Sequence, residues 1–249
     1  MEITHEETIS ACALNRIFGF EPKIALALIS HLGGAQEVFN LSPAEIDGLL
    51  GPHSKYCGTI SMEAVDKAYM ELTDLSAKGI RFIGWNEPGY PTMLKECEDA
   101  PAGLYIRSSS SPEELWNNRR MISVIGTRDL SPYGREWCER IVGSLADIPH
   151  KDRPVIVSGL ALGVDICAHS AALKYGLPTI AVMATGPETV YPGRHRHIAE
   201  EIASSPESAL ITDYPPETAP LAIHFLRRNR IIAGLSEATV LVESKIKGG

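Results

Sequence analysis

Seven arginines fall in three short windows: Arg128 and Arg135 in 126–135, Arg194 and Arg196 in 191–197, and Arg227, Arg228 and Arg230 in 224–230. Those windows hold one acid, Asp129, although the chain carries a formal net charge of -8. Guanidinium groups are planar forks that match phosphate oxygens two at a time. Any one of them alone reads as a solvated charge or a surface ion pair. Together they mark a polyanion, because they are expected at helix starts, where a cation opposes the helix dipole at a cost of about 0.3–1 kcal/mol. Arg135 lies a turn into its helix and is set aside. Phe225 stands just before Arg227, Arg228, Asn229 and Arg230. A ring beside guanidinium groups suits a single nucleic-acid strand, with charge for the backbone and a face for a base. A core phenylalanine anchoring the helix reads equally well, and Tyr133, Tyr191 and Tyr214 read as packing.

Glycine turns supply backbone donors to the same chemistry. Residues 121–125 are an apolar run that stops at Gly126 and continues through Thr127 and Arg128. Ser131 then fits a helix cap and Pro132 the first helical turn. The amides of such a turn and the positive helix end favour an anion. A second turn, running Ser158, Gly159, Leu160, Ala161 and on to Gly163, offers amides and a hydroxyl to a second phosphate. Asp165 would be repelled there and is assigned as the cap of the following helix. His169 reads as a buttressing core histidine, since no Ser or Cys is placed to make it a base. His195 and His197 are two apart, on different helix faces, so neither a metal site nor a catalytic group is expected.

These residues need a scaffold, and the chain shows one. Strands are expected at 121–125, 155–157, 179–183, 209–211 and 238–242, with helices at 164–175, 194–203 and 226–235. Strands alternating with helices predict an α/β fold, a mostly parallel sheet with helices on both faces. Ligands bind such sheets beyond the carboxyl ends of the strands, which is where all four unusual loops would lie. Residues 80–83 and 104–106 read as further short strands, and 108–111 with Pro112 as a polar loop. Residues 1–75 read as short helices. Cys12, Ala13, Ile17 and Phe18 share a face, Pro22 opens a helix that Gly33 and Gly34 end, and Ser42-Pro43-Ala44-Glu45 is a capping signal. The segment GFEPKIALALISHLGG suits a helix-hairpin-helix or SAM-like unit that touches nucleic acid, or a small bundle that only packs. Lys23 as its one basic residue weighs toward packing.

Composition sets outer bounds. Apolar content of 44% and charged content of 22% suit a globular protein. An acidic balance argues against nucleic acid on average, which is why the clustering of arginine matters. Five scattered cysteines without a CxxC pair read as reduced thiols in a cytoplasmic compartment. An acidic N-terminus and the lack of a long apolar run exclude a signal peptide and a membrane helix. Nicotinamide and nucleotide enzymes on this sheet want G-x-G-x-x-G or a Walker lysine, and neither is present, so no cofactor is expected. The PGGxGT signature of phosphoribohydrolases is missing too, though a nucleotide-processing enzyme of that kind stays the alternative.

VIGTRDLSPYG, VSGLALGVDICAH, TIAVMATGPETVYP and HFLRRNRIIAGLS resemble, in order and spacing, the signature segments of the bacterial DNA-processing protein A (DprA/Smf) family. GYPTMLKECEDAPAGLYIR is similar to that family's lead-in, so the resemblance covers roughly 79–249. It implies an extended Rossmann-like domain at 76–249, after a helical domain at 1–75, that binds single-stranded DNA without cleaving it. It implies protection of incoming strands in natural transformation and loading of RecA recombinase, with room for a homodimer. The family's glycine-serine-arginine turn falls on Gly126, Thr127 and Arg128, with threonine replacing serine. Its phosphate turn falls on Ser158, Gly159, Leu160 and Ala161, and its basic segment on Arg227 to Arg230 with Phe225 before it. The chain stops at Lys247-Gly248-Gly249, just past the last expected strand, and is expected to lack elements that carry part of the family's dimer and RecA surfaces.

Overall fold

A computed structural model describes residues 6–245. The start of the acidic N-terminus and the stop at Lys247-Gly248-Gly249 lie outside the described residues. The chain forms two compact units, Met1–Tyr90 with Glu98–Tyr105, and Pro91–Cys97 with Ile106–Gly249.

The first unit holds helices α1 (Glu6–Phe18), α2 (Pro22–Leu32), α3 (Ala35–Phe39), α4 (Pro43–Leu50) and α5 (Met62–Ala77), then strand β1 (Ile80–Gly84) and the start of β2 (Gly103–Arg107). It therefore takes in strand residues that a boundary at 75/76 groups with the sheet. Pro22 opens α2, and Gly33, at φ 89°, closes it in the left-handed region that glycine tolerates. Ser42 and Glu45 form the reciprocal capping box of α4. Leu14, Phe18, Ala25 and Ile29 meet in one apolar cluster. Lys23 is exposed and pairs with Glu98 at 2.7 Å.

The second unit begins with α6 (Thr92–Lys95) and α7 (Pro112–Trp116). The stretch expected as a loop at 108–112 runs into α7, because Ser111 and Glu114 cap it reciprocally. Strands β3 (Met121–Ile125), β4 (Val155–Ser158), β5 (Thr179–Val182), β6 (Ala209–Thr212) and β7 (Ala238–Leu241) alternate with α8 (Pro132–Ser144), α9 (Val164–Lys174), α10 (Arg196–Ser204) and α11 (Ala222–Leu235). These strands lie in the order β6-β5-β4-β3-β7. Every pair is parallel, with Met121 opposite Val155, Ile156 opposite Thr179, Ile180 opposite Ala209 and Ile122 opposite Ala238. All residues of β4, β5 and β6 are buried, as Val/Ile-rich strands covered on both faces must be. Val124, Ile156, Val142 and Ala168 form the core between the sheet and α8 and α9.

One boundary departs from expectation with consequences for the site. Helix α11 begins at Ala222, so Arg227, Arg228 and Arg230 lie in its middle and the helix-dipole reasoning does not apply to them. The apolar pattern misleads here because it is inverted: Leu221, Ile223 and Leu226 are exposed while Arg228 is buried.

Candidate functional site

Two strand-end turns interlock to form the floor. After β3, Thr127 donates its amide to the Glu243 carbonyl at 2.7 Å, and its own carbonyl accepts the Val164 amide at 3.1 Å. Gly163 makes this approach feasible. It sits at φ +79°, and a Cβ there would lie 2.1 Å from the Thr127 carbonyl oxygen. Gly126 is confined too, with a Cβ meeting the Glu243 carbonyl oxygen and Val164 at 2.6 Å.

A cleft of about 430 Å³ opens above this floor. Gly126, Thr127, Arg128, Ala161, Phe225, Arg228 and Asn229 line it, so half the residues expected from the sequence converge. Arg128 is exposed and holds its guanidinium 5.1 Å from the centre of the Phe225 ring. Arg228 approaches the same ring at 6.0 Å and Tyr191 packs edge-on against it at 5.7 Å. Phe225 is thus half-buried between guanidinium groups, an arrangement that cation–π attraction favours.

The remaining expected residues do other work. Arg228 is 2% exposed and donates to the carbonyls of Gly159, at 2.5 Å, and Val182. Burial lowers its pKa, and the neighbouring Asp165 opposes that shift. A Cβ on Gly159 would lie 2.3 Å from its Nη1, so glycine there admits the arginine. The Ser158 hydroxyl donates inward to the Val124 carbonyl at 2.7 Å, and the buried Leu160 gives its carbonyl to His195 Nδ1 at 2.9 Å. The Ser158 hydroxyl and the Gly159 and Leu160 carbonyls of this turn are thus engaged within the chain. Arg230 pairs with the buried Asp213 at 2.5 Å, and Arg227 hydrogen-bonds Tyr214, so neither is a free cation of the cleft. Burial raises the Asp213 pKa against the pull of Arg230. Arg194 is exposed in the short turn Gly193–His195, outside the cleft lining.

The start of α8 also holds an anion from within. Ser131 caps the helix by accepting the Gly134 amide at 2.9 Å. The Glu243 carboxylate accepts the Ser131 amide and hydroxyl at 3.1 and 2.9 Å, and glycine at 134 leaves room for it. The anion expected at this helix end is thus a side chain that sequence reasoning passed over. Asp165 is likewise not the cap of α9, which is Gly163; it is the second helical residue and accepts the Ala161 amide at 3.3 Å. Its pKa is raised by burial, with Arg228 opposing. Tyr133 and Tyr191 are exposed yet each packs edge-on against one ring, Tyr133 on Trp137 at 6.1 Å and Tyr191 on Phe225, whereas Tyr214 is buried. His169 is buried against Thr179, Nδ1 to Oγ1 at 2.8 Å, in the buttressing place expected of it.

Lys245 was missed altogether: it lines the cleft from beyond β7, and its 2.8 Å pair with Asp129 joins two exposed side chains, a weak contact that a phosphate can replace, unlike the buried Arg230–Asp213 pair. Its signal in the sequence is a lone cation just past a strand end. What faces solvent in the cleft is then a guanidinium, an aromatic ring, an amide and an ammonium group. That set can hold a phosphodiester and stack a base. Among the described residues lining it, Asp165 is the single acid.

Fold and site define a Rossmann-like α/β protein with a cationic, aromatic cleft at the carboxyl ends of parallel strands. Residues 81–249 match the family described as DNA recombination-mediator protein A, and the chain belongs to that family. It is similar to the Smf protein of Synechocystis, 30% identical over 240 residues, covering 95% of this chain and 58% of that one. It is also similar to the DNA processing protein DprA of Bacillus subtilis, 37% identical over 172 residues, covering 69% and 55%. The chain thus spans somewhat more than half the length of these two relatives. Among solved structures, DprA of Streptococcus pneumoniae superposes with a TM-score of 0.78 at 26% identity, covering 100% of this chain and 81% of that one. DprA of Helicobacter pylori, described for its single-stranded DNA binding mode, gives a TM-score of 0.57 at 27% identity, covering 68% and 71%.

Proposed function

We propose that this chain binds single-stranded DNA in the cleft, a phosphate on Arg128 and Lys245 and a base on Phe225, without cleaving the strand. On this reading it works in the cytoplasm in DNA processing, protecting incoming strands during natural transformation and helping to load RecA recombinase, either alone or as a homodimer. The observation that carries the proposal is the Arg128 guanidinium held 5.1 Å over a half-buried phenylalanine at the rim. Family membership and the single-strand binding described for the Helicobacter pylori relative support it.

Oligothymidine and duplex binding measured across a salt series test it. Two cleft cations neutralising two phosphates give a slope of about -1.4, so fourfold more salt weakens single-strand binding roughly 7-fold. Affinity that ignores salt, or that survives Arg128→Ala, contradicts the proposal. Release of free base from nucleoside monophosphates would favour the nucleotide-processing enzyme in its place.

A further inference from the structure

We propose that Cys138 and Cys167 form a redox-responsive thiol pair that closes to a disulfide between α8 and α9 on meeting hydrogen peroxide. The two residues belong to one apolar core with Val142, Ala168 and Leu177. Each thiol crosses toward the other helix. Cys138 Sγ reaches the carbonyl of Val164 at 4.0 Å, about one turn before Cys167. Cys167 Sγ reaches the carbonyl of Arg135 at 3.8 Å, about one turn before Cys138. This reciprocal crossing brings the two thiols together between the helices.

The pair is chemically unequal. The Cys138 thiol, with Arg135 near, draws the Cys167 pKa down, while Cys167 and burial push Cys138 up. One thiol is therefore disposed to be the nucleophile and the other to stay protonated as the resolving group. Cys12 and Cys57 differ: burial pushes Cys12 up to about 12, and Asp47 raises Cys57.

In the first step the Cys167 thiolate attacks a peroxide oxygen. The O–O bond breaks, hydroxide leaves and takes up a proton as water, and Cys167 becomes a sulfenic acid. The Cys138 sulfur then attacks that sulfur, the S–O bond breaks, and a second water departs with the proton of Cys138. Two thiols are oxidised by two electrons, and one peroxide is reduced to two waters. The link would join the helices that follow the two interlocked turns, since Val164 already donates to Thr127 across them.

The test is peroxide treatment of the full folded chain, alkylation of the remaining thiols and peptide mapping. The five free thiols should fall to three, with the peptides bearing Cys138 and Cys167 linked and both thiols restored by dithiothreitol. In Cys138→Ser, Cys167 lacks its resolving partner and should advance to sulfinic acid; in Cys167→Ser, Cys138 should stay reduced. Linkage of any other pair, or oxidation of Cys57 or Cys97 while Cys138 and Cys167 are both alkylated, overturns the proposal. The map of the unsubstituted chain decides this even if a serine variant fails to fold.

Discussion

Arg128 and Arg228 flank the same ring, yet alanine should separate them completely. Arg228 is 2% exposed, its guanidinium bonded to the carbonyls that end β4 and β5, beside the buried Asp165. Truncation leaves two carbonyls without a charged donor, at about 1.5–3 kcal/mol for each such bond. It also removes the cation that opposes the upward shift burial imposes on Asp165. The two bonds together make about 3–6 kcal/mol, so Arg228→Ala should lower the melting temperature by roughly 6–24 °C for a chain of this size. Arg128 is exposed, so Arg128→Ala should keep stability within about 0.5 kcal/mol while single-strand affinity falls. The assay is thermal unfolding by circular dichroism beside fluorescence anisotropy with a labelled oligothymidine, on both variants. If Arg228→Ala melts with the parent and loses only DNA affinity, the clamp assignment is refuted.

Three further outcomes are expected. Phe225→Ala should weaken oligothymidine binding by about 1–3 kcal/mol, measured by anisotropy on a protein whose far-ultraviolet spectrum is unchanged; full affinity would remove the stacking role. Gly163→Ala, which forces a side chain to φ +79° against the Thr127 carbonyl, should cost at least about 1–3 kcal/mol in urea unfolding, and a neutral result would contradict the interlocked turns. Burial, with Arg228 and His195 near, lowers the His169 pKa to about 3. Because the unfolded chain, at about 6.5, binds the proton more readily, stability should be full above that pH and decline from there toward pH 3, by on the order of 4–5 kcal/mol. Urea midpoints should therefore fall more steeply with acid in the parent than in His169→Gln, and parallel slopes would count against it.

Much of this protein is written in local chemistry. Val/Ile-rich runs alternating with helical periodicity set the parallel sheet, the Ser42/Glu45 pair and Ser131 cap their helices, and turns at the strand ends bring Gly126 and Ala161 to a common edge. Those features depend on residues a few positions apart, so they could be read directly. Which arginine meets solvent could not. Arg227, Arg228 and Arg230 lie within four positions of one helix, yet they meet Tyr214, the strand-end carbonyls and Asp213 respectively. Each residue turns a helix by about 100°, so identical side chains face different neighbours, and those neighbours come from the ends of three different strands. Glu243 makes the same point: it fills an anion site more than a hundred residues upstream, and only chain packing decides that the anion is its carboxylate.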